Sequence, residues 1–395
     1  MALGAGVAWF GRSGSEIAAA SSQAATAKAG GAGQSFFGQV GAAGAQPAPS
    51  ERAARLQQLK AHFELVDKTY CDYAANTRYP ESSRPAAQHP DQLHPNEPVT
   101  EVHPMRTGNG NTEPTVALQT SQSRVYMASG EAVAFSLRAV DAAGQPLALV
   151  ITRALAAGMT YKGQRATAQI ALAFGDDGKG ADAVSGDGAF GGVLAPAATG
   201  LAGFNGTIRS EISYSVNGKQ GFVLFDVIYT PELPAVWNGQ VREALEDGSL
   251  VFYLKAEIRK AGRYIVHGRI DDARGKPFAL ATFNELLPAG SQEVKLMVFG
   301  KLMRDAEPAL PLILRDVDGF LLKEDLDPDR ALMPRLEGRV YVGKAHPLKS
   351  FSDAEWQSEE RTRHLVEFAK DVALAKGAMA GFDPSLPVLK SACLP

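Results

Sequence analysis

The sequence has few cysteines, no excess of charge of either sign, and none of the short motifs that mark the common enzyme classes. It contains no GxSxG elbow, no HExxH, no P-loop and no GxGxxG between a strand and a helix. Its 40 Lys and Arg against 43 Asp and Glu leave a formal net charge of −3, which gives no general attraction for nucleic acid. These absences argue against motif-bearing enzymes and against a nucleic-acid partner.

The only cysteines in the chain are Cys71 and Cys393. Neither lies in a CxxC or CxxH spacing, which argues against a zinc site or a dithiol redox centre. In an exported protein the two can form a disulfide that closes a very long loop, and the chain-entropy model gives such a bond about 4 to 5 kcal/mol. Two unrelated thiols are the alternative, because sequence does not fix their geometry.

Long apolar runs are also missing. The run at residues 2–10 is too short to cross a bilayer, but its length suits part of the apolar region of a secretory signal peptide. Because no basic residues precede it, either the true start lies upstream or the run is merely a flexible apolar terminus. Residues 13–49 are rich in Ala, Gly, Ser and Gln, a composition that buries little surface. We therefore predict a signal-like, low-complexity segment over residues 1–49 and no transmembrane span. The protein is expected to be exported to the periplasm, the cell surface or the medium.

The region predicted at residues 50–112 is a helix followed by a proline-rich extended strap. Ser50 is a candidate N-cap for the helix. Six prolines within residues 71–105 forbid helix and discourage a central strand. The strap carries side chains of metal-ligand type, but their spacing matches no established site, so a polar hydrogen-bonding surface is favoured and a metal site is the alternative. These side chains are His89, Asp91, His94 and His103.

The middle of the chain has a sequence pattern typical of β-sandwiches. Short runs with alternating apolar and polar residues are separated by turn residues, and Asn217-Gly218 is a strong hairpin signal, because a type I′ turn needs positive φ at both positions. The pattern predicts a mainly β protein with two tandem immunoglobulin-like β-sandwich domains and flanking N- and C-terminal helices. Pro231 and Pro234 mark the predicted boundary between the domains. The predicted domains are residues 113–232 and 233–335.

A helical extension is predicted for residues 336–395. Ser352 and Glu355 form a capping-box signature, apolar residues then recur on one helical face, and Gly377 is expected to end the helix. This helix is expected to have a structural role.

The loop within residues 167–192 combines aspartates and glycines after a strand-like run. Four hard oxygen donors within twelve residues, with glycines that let the backbone curl, could hold calcium. The spacing is not that of an EF-hand, and aspartate before glycine is ordinary turn chemistry, so turn capping is the favoured interpretation and calcium is the alternative. Calcium is the one cofactor that the sequence suggests. Its predicted ligands are Asp176, Asp177, Asp182 and Asp187.

About half of the chain resembles the tandem Ig-like regions of exported bacterial proteins of the choice-of-anchor X type. The resemblance rests on two passages, DDGKGADAVSGDGAF (residues 176–190) and LEDGSLVFYLKAEIRKAGRYIVHGRIDDARGKPFALATFNELLPAGSQEV (residues 245–294). It implies a sandwich fold, export, and residence at the surface or in the periplasm. It implies no activity and no catalytic residues.

Composition, motifs and resemblance favour a non-enzymatic cell-envelope or secreted protein that uses its Ig-like modules for binding or as structural spacers. The expected partner is a protein or a glycan of the cell envelope. The alternative is an envelope-associated hydrolase with a loop-built site and no linear motif. A pocket lined by converging histidine and carboxylates would favour the hydrolase, and flat sandwiches with exposed aromatic patches would favour binding.

Overall fold

The computed structural model of the chain describes residues 49–107, 111–160 and 166–394. All but the last residue of the predicted segment 1–49 therefore lies outside the described residues. The chain divides after Gln57 into two compact units. The described part of the first unit is the beginning of helix α1 (Pro49–Asn76), and the second unit contains the rest of α1 and every strand.

Strands are the most common element of the described chain. After α1, strand β1 (Ser83–Pro85) precedes the first sandwich. The strands of the first sandwich are β2 (Val99–Arg106), β3 (Thr112–Gln122), β4 (Tyr126–Ala128), β5 (Val133–Val140), β6 (Leu149–Gly158), β7 (Gln169–Ala171), β8 (Phe174–Gly175), β9 (Ala189–Leu194), β10 (Gly206–Val216) and β11 (Lys219–Thr230).

The second sandwich and the C-terminal part follow. Their elements are β12 (Ala235–Glu246), β13 (Ser249–Ile258), β14 (Gly262–Asp271), β15 (Pro277–Leu287), β16 (Gly290–Val298), α2 (Gly300–Ala306), β17 (Ile313–Leu322), β18 (Arg330–Leu332), β19 (Leu336–Val342) and α3 (Glu359–Phe382).

The first sandwich packs one sheet of order β2-β3-β5-β9-β8 against another of order β4-β11-β10-β6-β7. Apolar residues that alternate along the strands fill the space between the sheets, and the Phe135 and Phe225 rings stack there with centroids 4.6 Å apart. Asn217 and Gly218 both have positive φ, 51° and 73°, and join β10 to β11. The predicted Asn-Gly hairpin is therefore present.

The second sandwich packs a sheet of order β12-β13-β16 against a sheet of order β1-β15-β14-β17-β18, in which β19 also pairs with β17. Its buried apolar residues form a core separate from that of the first sandwich. Both sandwiches divide their strands between sheets as immunoglobulin folds do, with consecutive strands crossing between sheets. The predicted fold class, mainly β with Ig-like sandwiches and a helix at each end, is confirmed.

Partly buried charges connect the two sandwiches. Arg335, after β18, lies 3.4 Å from the Glu131 carboxylate and donates to the Tyr126 carbonyl over 3.1 Å. Arg124 lies 2.9 Å from the same Glu131 carboxylate. This shared carboxylate links the sandwiches beyond the proline-flanked connection. The predicted domain limits stay a prediction. Strands β2 and β19, which pair into the sandwiches, lie outside those limits.

The structure differs from the sequence prediction in the strap. Val99–Arg106 forms strand β2 despite Pro104, because β2 lies at the edge of its sheet and its register shifts beside that proline. A proline costs little at an edge or a bulge, where its missing N–H is not needed by a neighbouring strand. The rest of the strap contributes β1, which pairs with β15 in the second sandwich.

The C-terminal helix also differs from its prediction. The N-cap is Ser358, whose side chain accepts a hydrogen bond from the Arg361 amide, and the helix continues past Gly377 to Phe382. Ser352 instead accepts from the Ala354 amide in the preceding segment. Helix α3 packs with α1 through Phe63, Val372 and Ala375. Within the described ranges, neither long helix is apolar enough to cross a bilayer.

Candidate functional site

The principal candidate site is a cleft of about 1020 Å³ on the second sandwich. The strap forms one wall because β1 adds to the edge of β15 and brings residues 81–89 beside it. Two hydrogen bonds fix the strap here. The Thr282 amide donates to the Ser82 carbonyl over 2.9 Å, and the Phe299 amide donates to the buried Ser83 hydroxyl oxygen over 2.9 Å. The cleft is therefore bounded by ordered backbone on both sides.

Four aromatic side chains line the cleft, the buried Phe283 together with Tyr79, Phe299 and Trp356. The Trp356 and Phe299 rings meet edge to face with centroids 6.1 Å apart, and the Trp356 amide donates to the Arg78 carbonyl. The Tyr79 hydroxyl donates to Asp305 over 2.9 Å. Burial, followed by the hydrogen bond to Asp305, raises the pKa of Tyr79. The cleft thus presents fixed aromatic rings among polar side chains.

A smaller cavity of about 340 Å³ lies between the strap and the outer face of the sheet. It shares Arg84, His267 and Thr282 with the cleft, so the two spaces meet at these residues. His267 on β14 lies opposite Thr282 on β15 and opposite Asp318 on β17. The Thr282 hydroxyl oxygen is 3.2 Å from His267 Nδ1. Hydroxyl, imidazole and carboxylate therefore form a row across three neighbouring strands.

Burial moves both titratable groups of this row toward their neutral forms. It lowers the pKa of His267, against the opposing effect of the Asp318 charge. It raises the pKa of Asp318, again against the attraction of His267. A low-dielectric environment disfavours a charged imidazolium and a charged carboxylate alike.

Two arginines frame the cavity. Arg269 donates to the Leu93 carbonyl of the strap and lies 3.0 Å from the buried Asp271 carboxylate. Arg84 donates through Nη2 to Gln92 Oε1 over 3.0 Å, and its buried Nε has no hydrogen-bond partner among the described residues. These contacts hold the strap over the polar row.

Replacing His267 with glutamine should reduce the fall in the free energy of unfolding that occurs in mild acid. The pKa of His267 is lower in the folded protein than its unfolded value of about 6.5. As pH falls through that value, the unfolded chain gains a proton that the folded chain does not, so the wild type loses stability and His267→Gln loses less. Urea unfolding between pH 7.5 and 5.5 measures the difference.

Asp318→Asn is the matched variant, for which the expected change of stability with pH has the opposite sign. The raised pKa of Asp318 means that wild type loses stability as pH rises above about 4, where the unfolded carboxyl ionises first. The stability of Asp318→Asn relative to wild type should therefore increase with pH. Parallel pH curves for wild type and both variants would contradict the assignment.

The aspartate loop brings together three of its four predicted calcium ligands. Asp176, Asp182 and Asp187 each place a carboxylate oxygen within 4.8 Å of the others, whereas Asp177 lies outside this group. Backbone amides also approach these oxygens: Asp176 accepts from residues 186, 187 and 188, and Asp182 accepts from residues 178 and 184. Calcium ligation and turn capping use the same oxygens, and calcium stays a prediction.

If the loop binds calcium, excess calcium should raise the thermal unfolding midpoint of the wild type relative to chelator. The ion would relieve repulsion among three carboxylates and would bind only the folded loop. The response should disappear in Asp182→Ala with Asp187→Ala and should persist in Asp177→Ala, since Asp177 lies outside the group. An unchanged wild-type midpoint would identify the aspartates as turn caps.

Cys71 and Cys393 are joined by a disulfide, with their Cα atoms 5.5 Å apart. The bond ties the C-terminal tail to α1. The histidines of the strap do not assemble with Asp91 into a metal-type group within the described ranges. His103 lies on β2 in the first sandwich, and His89 lies beside the cleft of the second.

Comparison with known proteins yields distant structural similarity. No protein-family model and no curated protein matches the sequence. A DUF4785 family protein from Legionella pneumophila shares 11% identity at a TM-score of 0.38 over 57% of each chain. The Yersinia pseudotuberculosis adhesin InvE shares 10% identity at a TM-score of 0.16, over 55% of this chain and 58% of that one.

Fibronectin(III)-like modules of Clostridium thermocellum CbhA share 10% identity at a TM-score of 0.20, over 58% of this chain and 98% of theirs. The matches span 57% of the length of the Legionella protein and 58% of that of the adhesin. Similarity at these levels concerns the class of fold alone. None of the three bears the choice-of-anchor X name, so that resemblance stays a prediction.

Proposed function

We propose that this chain is an exported, non-enzymatic protein that uses its Ig-like modules to bind a component of the cell envelope, and that the cleft on the second sandwich is its binding site. The observation that carries the proposal is the cleft itself. It combines fixed aromatic rings with exposed polar side chains, so that it can both stack against a ligand and form hydrogen bonds with it. Its size reaches the upper end of ligand pockets, about 300 to 1,000 Å³.

Export is supported by the disulfide. Such bonds persist in oxidising compartments, including the periplasm and the extracellular space, and are rare in the cytosol. The apolar run at residues 2–10 fits the same proposal. Cell fractionation of the expressed full chain tests this part, and recovery of the protein only in the cytosol with free thiols would contradict it.

Binding is tested by retention of the purified full chain on a cell-envelope fraction. Glu285 is exposed in the cleft, and Glu285→Arg reverses one charge there. Glu257→Arg is the matched control, because Glu257 is exposed on β13 of the same sandwich and does not line the cleft. Glu285→Arg should reduce retention about tenfold and Glu257→Arg should retain like wild type. Equal retention of all three proteins would contradict the assignment of the cleft.

A hydrolase is the second candidate, favoured by the row of Thr282, His267 and Asp318. An imidazole with a lowered pKa can accept a proton from water when it is neutral, and a carboxyl with a raised pKa can donate one to a leaving group when it is protonated. The row also contributes to the cavity wall, where a substrate group would meet it. This arrangement is the converging histidine and carboxylate that distinguishes the alternative from a binding module.

Product release separates the two candidates. Wild type and His267→Gln are incubated with the same envelope fraction, and soluble fragments are followed by mass spectrometry. The binding proposal expects equal background release from both. Release by wild type that His267→Gln lacks would replace the proposal with the hydrolase.

A further inference from the structure

We infer that the ligand of the cleft is an oligosaccharide without net negative charge. The inference rests on the proposed function, because it names the class of partner for the same cleft. Three properties of the cleft carry it, namely its aromatic wall, its unengaged polar side chains and its balance of charge.

The aromatic wall suits the apolar faces of sugar rings. Trp356 is 38% exposed, although it is the largest side chain lining the cleft. Its edge-to-face contact with Phe299 and its backbone hydrogen bond to the Arg78 carbonyl fix its orientation. A rigid, half-exposed indole loses little conformational entropy when a flat ligand face covers it. An apolar platform within a polar cleft matches a sugar, which has an apolar ring face and a polar rim.

The polar side chains of the cleft match hydroxyl groups. Asn76, Gln88, Glu81 and Glu285 are exposed and line the cleft, and their side chains make no hydrogen bond within the described parts of the chain. A side-chain amide both donates and accepts, a carboxylate accepts, and a hydroxyl does both. A polyhydroxylated ligand can therefore pair with all four of them.

The charge of the cleft selects against anionic glycans. Four acidic side chains line it, against the two permanently basic side chains Arg84 and Lys295. Sulfated, phosphorylated or uronic-acid sugars would meet this excess of acidic side chains, and like-charge contacts cost binding energy. The acidic side chains are Glu81, Glu246, Asp247 and Glu285.

The size of the cleft indicates several sugar units. At about 1020 Å³ it exceeds what a single ring fills, and burial of most of the ligand surface is what gives small-molecule sites their affinity. A short oligomer that runs from Trp356 toward Arg84 and His89 would contact both the aromatic and the polar parts of the wall.

Titration calorimetry with the full chain tests the inference with three probes: cellotetraose, chitotetraose and a heparin tetrasaccharide. At least one neutral probe should bind, and the heparin probe should not. Trp356→Ala should weaken that binding about tenfold, because the stacking platform is lost. Asn76→Ala, which removes an exposed and unpaired side chain and leaves the fold unchanged, should weaken it a few-fold.

Leu374→Ala is the control, since Leu374 is 71% exposed on α3 and does not line the cleft. It should bind like wild type. Preferred binding of heparin, absence of binding by both neutral probes, or equal affinity of wild type, Trp356→Ala and Asn76→Ala would overturn the inference.

Treatment of the envelope fraction separates this inference from the proposed function. Retention that depends on Glu285 should survive proteinase digestion of the envelope and disappear after periodate oxidation of its sugars. Loss of that retention on proteinase digestion would overturn the inference that the ligand is an oligosaccharide and would leave the cleft as a protein-binding site. Retention that does not depend on Glu285 under any treatment would overturn the assignment of the cleft as the binding site.

Discussion

Oxidised wild type is expected to unfold with a free energy about 5 kcal/mol or more above that of the Cys393→Ala variant. The Cys71–Cys393 bond closes a loop across a sequence separation of 322 residues. By the chain-entropy model, a cross-link over so long a loop removes more freedom from the unfolded chain than a short one does. Denaturant unfolding of the two proteins, each followed by fluorescence and circular dichroism, measures the difference.

Reduced wild type and the double variant Cys71→Ala with Cys393→Ala are the controls. Both should unfold like Cys393→Ala, because each of the three lacks the same covalent bond. A wild-type transition that does not respond to reductant would contradict the prediction.

The same bond has a local consequence at the end of the chain. The Ala392 amide donates to Asp67 Oδ2 over 3.0 Å, and Leu389 and Leu394 pack on the small core that Phe63 forms with α3. Asp67 Oδ1 is buried without a hydrogen-bond partner among the described residues. The tail therefore covers a partly unsatisfied carboxylate with few apolar contacts of its own. Release of the tail should be the first step of unfolding in the cysteine variants.

The fold was predictable because its signals are local. Alternation along the strands reports which face is buried, and the Asn217-Gly218 pair specifies its own turn. Helix limits were less predictable, since Ser352 and Ser358 both precede acidic residues suited to a helix start. The choice of Ser358 is understandable only from the structure, where the Ser352 amide donates to the Gly248 carbonyl of a neighbouring turn. A tertiary hydrogen bond thus overrides a local capping pattern.

The candidate site was not predictable, because its residues meet through strand register and not through spacing. His267, Thr282 and Asp318 lie on three strands, and each alone reads as a polar residue on the solvent face of a sheet. The signal that sequence offers is their alternation with buried residues, such as Val266 and Gly268 around His267. It places them on the outer face, but it does not show that the strap covers that face.

The aspartate loop and the cysteine pair were partly predictable from the sequence. Asp176, Asp182 and Asp187 are close in sequence, so a short loop can bring them together, and it does. Asp177 points to a separate turn, where it accepts from the Lys179 amide. Cys71 and Cys393 meet only because α1 and the C-terminal tail pack together. The number of cysteines and the expected export of the protein suggest that pair, and the packing of α1 against the tail brings the two sulfur atoms together.

A junction of three backbone segments sets the position of one end of the cleft. Gly300, the first residue of α2, lies against the β12–β13 turn at Gly248 and against the segment at Ser352. The Gly300 amide donates to the Ser249 hydroxyl oxygen, and the Ser352 amide donates to the Gly248 carbonyl. Phe299 and Trp356, which line the cleft, flank this junction in sequence. Its packing therefore bears on the site as well as on stability.

Gly300→Ala should lower the free energy of unfolding by about 3 kcal/mol, the upper end of typical overpacking costs. A Cβ at residue 300 would lie 2.0 Å from the Gly248 carbonyl oxygen and 2.8 Å from the Ser352 nitrogen, both of them backbone atoms that cannot move aside by changing rotamer. Gly377→Ala is the matched control, because a Cβ there meets nothing within 4 Å in the middle of α3. That change should stabilise by about 0.5 to 1 kcal/mol through helix propensity. Denaturant unfolding of wild type and both variants measures the pair, and a Gly300→Ala protein as stable as Gly377→Ala would show that the three segments do not meet as described.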